Sequence, residues 1–200
     1  MKSVSVITFV KNEEELLPRW CEWYGFANQT IYVDSLSTDG SWRFGTHRFS
    51  WPFCEEKRRQ VELDWYRSLT TDFAMFLDVD EFIRPLEKLW KWDAEVVLGR
   101  FANMVSEDEG VFSGTKPLLV RTGLRGFNIG WGHHCVSGCN SVLADDVCLC
   151  HLKYDDWDRC LRRRMDRPKF RGTWGEHWLA DEKAFRAEFD AARRDAVRVL

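Results

Sequence analysis

No stretch near the start of this chain is long and apolar enough to cross a bilayer. The longest apolar run there, Val4 to Val10, is interrupted by Ser5 and Thr8, and it falls far short of the roughly 20 residues a membrane span needs. A charged n-region, a long apolar core and a small-residue cleavage site do not occur in that order, so the sequence does not read as a secreted precursor. A cytoplasmic location is the expectation. An excess of one charge sign is missing too. The 29 basic and 32 acidic residues give a net charge of -3 and a pI of about 6.0, which leaves no global field to draw nucleic acid. The seven cysteines, an odd number spread from Cys21 to Cys160, suggest reduced thiols rather than a disulfide framework. Proline- or serine-rich linkers, low-complexity tracts and internal repeats are lacking, so the 200 residues read as a single domain.

What is present is an ordinary globular composition, 44% hydrophobic and 30% charged, with eleven tryptophans. Such flat amphipathic rings suit sugar or base stacking and also simply fill cores. The opening VSVITFV is β-branched and predicts a buried strand. The polar KNEEE then leads into a helix expected over about 14–26, with Leu16, Leu17, Trp20, Trp23 and Tyr24 on one face. TIYVD predicts a second strand, STDGS a turn, RFSW a short third strand, and residues 55–69 a helix. AMFLDVDEFI predicts one strongly apolar strand ending in acids. Alternation of this kind argues for an α/β fold with a mostly parallel central sheet flanked by helices. Beyond Pro85, EVVLGRF, KPLLVRT and DVCLCHLKY predict strands of a mixed or antiparallel half, and two helices end the chain, the last with Phe185, Phe189, Ala192 and Val199 in one docking stripe.

In parallel sheets ligands sit beyond the carboxyl ends of the strands. Polar groups gather at three such ends: Asn12 and Glu13, then Asp34, then Asp78, Asp80 and Glu81. If the last segment stays extended, Asp78 and Asp80 point to the same side. Paired carboxylates of that kind call for a cation between them, and Mg2+ or Mn2+ is the natural partner.

Three motifs in order, VKNEEELLPRWCEWYGFAN, IYVDSLSTDGS and FLDVDEFI, with a later CHLKYDDWDRCLRRR, resemble a family-2-like glycosyltransferase of the GT-A fold, of the short bacterial and viral type. The resemblance covers roughly the first 85 residues. It implies a nucleotide-binding half over 1–85 and an acceptor half with C-terminal helices over 86–200. It implies transfer of a sugar from a nucleotide-diphosphate donor (a UDP-, GDP- or dTDP-sugar) to a hydroxyl acceptor on a glycan, lipid-linked molecule or protein, with inversion. Asn12, Glu13, Asp34, Asp39 and Asp78 would line the nucleotide crevice, and Asp78, Asp80 and His151 would hold Mn2+ or Mg2+.

A diphosphate leaving an anomeric carbon gains negative charge, so cations aimed at it lower the barrier. Arg59 on the helix before the acidic strand, and Arg162, Arg163 or Arg164 after His151, are candidates. The segment 159–171 holds seven basic residues and one acid, which also suits peripheral contact with a membrane surface. The general base that inversion needs is left open among Glu81, Glu107, Asp108 and Glu109. Trp131, His133 and His134, in GWGHHC, would face the acceptor or donor sugar. Three rival readings stand beside this one, the first a catalytically inactive GT-A-like protein. Cys135, Cys139, Cys148, Cys150 and His151 could build a zinc-stabilised binding module, although only the first pair has knuckle spacing. A sugar nucleotidyltransferase would want a glycine-rich phosphate loop after the first strand, where KNEEE has none.

Overall fold

The computed structural model describes residues 2–48, 55–130, 136–166 and 182–199. The chain runs β1 (Val4–Val10), α1 (Leu17–Trp23), β2 (Gln29–Asp34), a 3-10 turn at Gly40–Arg43, β3 (His47–Arg48), α2 (Glu55–Ser68), β4 (Phe73–Phe76) and β5 (Glu81–Arg84). A second 3-10 turn at Leu86–Lys91 leads to β6 (Val96–Met104), β7 (Glu109–Arg121), β8 (Asn128–Ile129), β9 (Val136–Ser137) and β10 (Ser141–His151). The chain then forms α3 (Trp157–Asp166), α4 (Glu182–Asp195) and β11 (Val197–Arg198). The main sheet has the order β3-β2-β1-β4-β7-β6-β10-β5, with β11 added to β7. Along that order β5 and β7 run against the other strands. The carboxyl ends of β1, β2, β4, β6 and β10 therefore share one edge, and the chain departs from β1 in both directions there.

Period-two alternation in β1 and β4 builds two cores. Val4, Val6 and Val10 with Phe73, Met75 and Leu77 face Leu16, Leu17, Trp20 and Tyr24 around α1. Ile7 with Ala74 and Phe76 faces Leu63 and Tyr66 of α2 on the other side. Full burial of a side chain such as Leu17 contributes about 1.5–3 kcal/mol. A third cluster joins Tyr154 and Cys160 to Phe185 and Phe189 of α4.

Four sequence expectations change. The first helix begins at Leu17, later than expected, because Pro18 sits in its first turn, where a missing N–H costs nothing. Glu13 to Glu15 are thereby left in the turn before it. The run 74–83 is two strands, since the chain reverses at Val79–Asp80 and β5 leaves for the far edge beside β10. The third strand begins at His47, one residue before RFSW, and beyond Arg48 the rest of RFSW lies outside the described residues. Val199 lies past the last helix and packs on the α1-side core rather than with Phe185.

Candidate active site at the carboxyl edge

The loops after β1 and β2 are stitched together. Asn12, with a positive φ of 54°, accepts from the Thr38 N–H at 2.8 Å and donates its own N–H to Ser37 Oγ at 3.0 Å. The Asp39 carboxylate accepts from the Ser41 N–H at 2.9 Å and the Glu14 N–H at 3.2 Å, and these N-cap bonds outweigh its partial burial and hold it below the ordinary carboxyl range. Gly40 N–H returns a bond to Glu14 Oε2 at 2.9 Å, and a Cβ at position 40 would collide with that carboxylate. Asp34 is fully buried, accepts from the Ser37 N–H at 3.2 Å and pairs with Arg48 Nε at 3.1 Å.

The acidic turn 78–81 is held from three sides. Trp20 Nε1 donates to the Asp78 carbonyl at 3.1 Å, and Tyr24 Oη donates to the Glu81 carbonyl and accepts from the Ile83 N–H, each at 3.1 Å. Glu81 Oε2 accepts from the Asp78 N–H at 2.9 Å while its Oε1 is paired with Lys116, both side chains being buried. Glu81 is therefore not placed to serve as the general base expected from the sequence: it is an inward strut under the turn, with no access to an acceptor. Asp78 and Asp80 also diverge, because the reversal replaces extended geometry. Asp78 Oδ1 takes Arg58 Nη2 at 2.7 Å, and Asp80 points to the C-terminal half of the chain.

Asp80 Oδ2 meets His151 Nε2 at 2.8 Å and Arg163 Nη1 at 2.5 Å. His151 Nδ1 is 2.9 Å from Asn103 Oδ1, and its ring stacks on Phe101 at 5.6 Å. Arg163 also spans to Glu13 Oε1, through Nε at 2.8 Å and Nη2 at 2.5 Å. Burial opposes the charge on Asp80, but the Arg163 guanidinium and the His151 imidazole outweigh it and hold the carboxyl well below the usual range. For Glu13 burial wins over Arg163 and pushes its pKa up to about 7.

The structure brings together Glu13, Asp80, His151 and Arg163. Arg162 instead pairs on the surface with Glu15 at 3.0 Å. On α2 the helical phase presents Arg58 to Asp78 and Glu62, and Arg59, one residue on, makes no described contact with the acidic turn. Glu107, Asp108 and Glu109 form the exposed tip between β6 and β7. Among the described contacts none of their carboxylates touches Asp80, His151 or Arg163. Trp131, His133 and His134 lie outside the described residues, as does 167–171 of the basic segment. Of the zinc reading, Cys135 lies outside the described residues; Cys139 packs on the α2-side core while Cys148 and Cys150 point into the α1-side core, so these three thiols are divided between two faces.

Arg58, Asn103 and Lys116 were missed. Arg58 had a signal, since 58, 62 and 66 share one face at a spacing of four. Lys116, inside β7, had none.

No protein-family model matches this sequence, and no curated protein does. Among solved structures, S. aureus TarS is similar over 96% of this chain and 44% of that one, at 14% identity and a TM-score of 0.49. TarS 1-349, solved alone and in complex with UDP, matches 51% of this chain and 36% of that one at 16% identity and a TM-score of 0.39. This chain spans less than half the length of either. Likeness this slight carries no functional weight, and the chemistry of the site rests on its own geometry.

That geometry bears on a divalent ion through its donors. A carboxylate held anionic, an imidazole whose Nδ1 is engaged by an amide oxygen so that Nε2 faces the carboxylate, and a second carboxylate across one guanidinium are donors of the type Mn2+ takes. The chemistry fits. The present arrangement has Arg163 between those donors, and among the described residues no three such side chains are grouped around a position for an ion. No described helix is long and apolar enough to cross a membrane.

Proposed function

We propose that this chain is a glycosyltransferase moving a sugar from a nucleotide-diphosphate donor, UDP-, GDP- or dTDP-linked, to a hydroxyl acceptor with inversion. The observation that carries the reading is the meeting of Asp80, His151 and Arg163 at the sheet edge where β1 parts from its two neighbours. The motifs that resemble family-2-like glycosyltransferases place their acids on that same edge.

In this reading the nucleoside lies over the stitched loops after β1 and β2. Asn12, Asp34 and Asp39 fix those loops, and Arg48 neutralises Asp34. The diphosphate faces Arg163 and Arg58, whose fixed forks suit phosphate oxygens. Asp80, His151 and Glu13 are the residues that would hold Mn2+ or Mg2+, which when bound supplies positive charge to the leaving group. As the bond between the anomeric carbon and the phosphate oxygen breaks, its electron pair stays on the diphosphate. The acceptor oxygen bonds to the opposite face of that carbon and gives its proton to a carboxylate base. Glu107, Asp108 and Glu109 are the exposed carboxylates proposed for that task.

The test is calorimetry of UDP, GDP and dTDP with Mn2+, followed by a screen for consumption of the matching nucleotide sugar. One diphosphate should bind, and Asp80→Ala should weaken it at least tenfold in a protein that keeps its fold. Equal affinity in Asp80→Ala, or binding of none of the three, would refute the reading.

A further inference from the structure

Arg163 occupies the ground between Glu13 and Asp80 with three nitrogen contacts, to residues 150 and 83 positions away in the chain. The oxygen it takes on Asp80, Oδ2, is the same one that faces His151 Nε2. A guanidinium has five donors and no lone pair to offer, so it cannot share a coordination sphere. Its charge would repel a divalent ion drawing near. An ion can reach Asp80 Oδ2 and His151 Nε2 only if Arg163 moves off.

The surroundings suit such a move. Arg163 is anchored by its side chain to the sheet edge, whereas α3 is fixed independently through Trp157, Cys160 and Leu161 against Phe185 and Phe189. The guanidinium can swing without undoing the helix. Releasing it alone would leave Glu13 and Asp80 unneutralised and the cation without a partner. Both costs vanish if a metal ion takes its place on the carboxylates while a diphosphate receives the guanidinium.

We propose that Arg163 is an exchangeable plug, a built-in cation that closes the site in the free protein and transfers to the donor diphosphate when a divalent ion takes its place. The inference rests on the donor reading above. It makes metal and diphosphate mutually dependent: each should tighten the other by the same factor, and the metal alone should bind weakly.

Mn2+ binding without nucleotide, followed by paramagnetic resonance of the free ion, tests this in wild type, Arg163→Gln and Arg163→Lys. Arg163→Gln should bind Mn2+ at least tenfold more tightly than wild type, and the mutual enhancement between Mn2+ and UDP, GDP or dTDP should shrink. Arg163→Lys keeps a charge but cannot span both carboxylates, so it should fall between them. It also serves as the readout if the glutamine variant does not fold. Mn2+ affinity unchanged or lowered in the folded variants would overturn the exchange. A tenfold gain for Mn2+ with no binding of any of the three diphosphates would uphold the displaced cation and overturn the donor reading instead.

Discussion

At the scale of single residues, the acidic edge is governed by which cation each carboxylate has been given. Lys116 sits inside the sheet with no solvent contact, and its partner Glu81 is equally enclosed. Removing one member of such a pair strands a charge in the core, at a cost of about 3–5 kcal/mol. Lys116→Met should lose that much in urea unfolding, and adding Glu81→Gln should recover part of it. A loss below about 1 kcal/mol would mean the pair is not the strut described here.

Glu13 and Asp80 share Arg163 yet depend on pH in opposite directions. Glu13 rises from 4.5 to about 7 on folding, so between those values the folded chain holds a proton that the unfolded chain has released. Stability then falls as pH rises, by up to ~3 kcal/mol for such a shift. Asp80, held low, contributes stability above its ordinary value that is lost only in strong acid. Glu13→Gln should flatten the decline in unfolding free energy between about pH 5 and pH 8. An unchanged slope would show that Glu13 is not the group responsible.

At the scale of elements, the sequence shows which segments form but not always where they turn. The strand in VSVITFV and the helix over 55–69 were legible, the first from its β-branched apolar residues and the second from its length between turn and strand signals. The break in AMFLDVDEFI was not. Its apolar residues suit one strand or two, and the reversal is stabilised from outside the segment, by Trp20, Tyr24 and Lys116. Asp80 and His151 were named from motif resemblance as ligands of one ion rather than as direct partners, while the part played by Glu13 beside them depends on a bridging Arg163 that no local spacing reveals. The role of α1 as a brace can be checked directly. Tyr24→Phe strips a partner from both the Glu81 carbonyl and the Ile83 N–H inside the core, which should cost about 1–3 kcal/mol. It should also weaken diphosphate binding. A folded variant of unchanged stability would remove Tyr24 from that framework.

At the scale of the whole molecule, the division into halves at residue 85 does not cut the sheet. β4 bonds to β7 through Phe73–Arg121 and Ala74–Val120, and β5 bonds to β10 from Glu81–His151 to Arg84–Cys148. Residues 1–85 made alone should therefore lack a cooperative unfolding transition and bind no diphosphate, whereas the full chain should unfold cooperatively and, on the proposed reading, bind one. A folded, ligand-binding fragment would show the halves to be independent.

The position of β5 has one more consequence, in the order of events during synthesis. Its main-sheet neighbour, β10, is made about sixty residues after it, and long-range pairings of that kind form slowly. Until β10 arrives, Phe82 and Ile83 wait unpaired and Asp80 has no histidine. The nascent protein thus carries its acids well before the residue that completes them, and the site comes into being in a late step, when the last strand of the main order slides between β6 and β5.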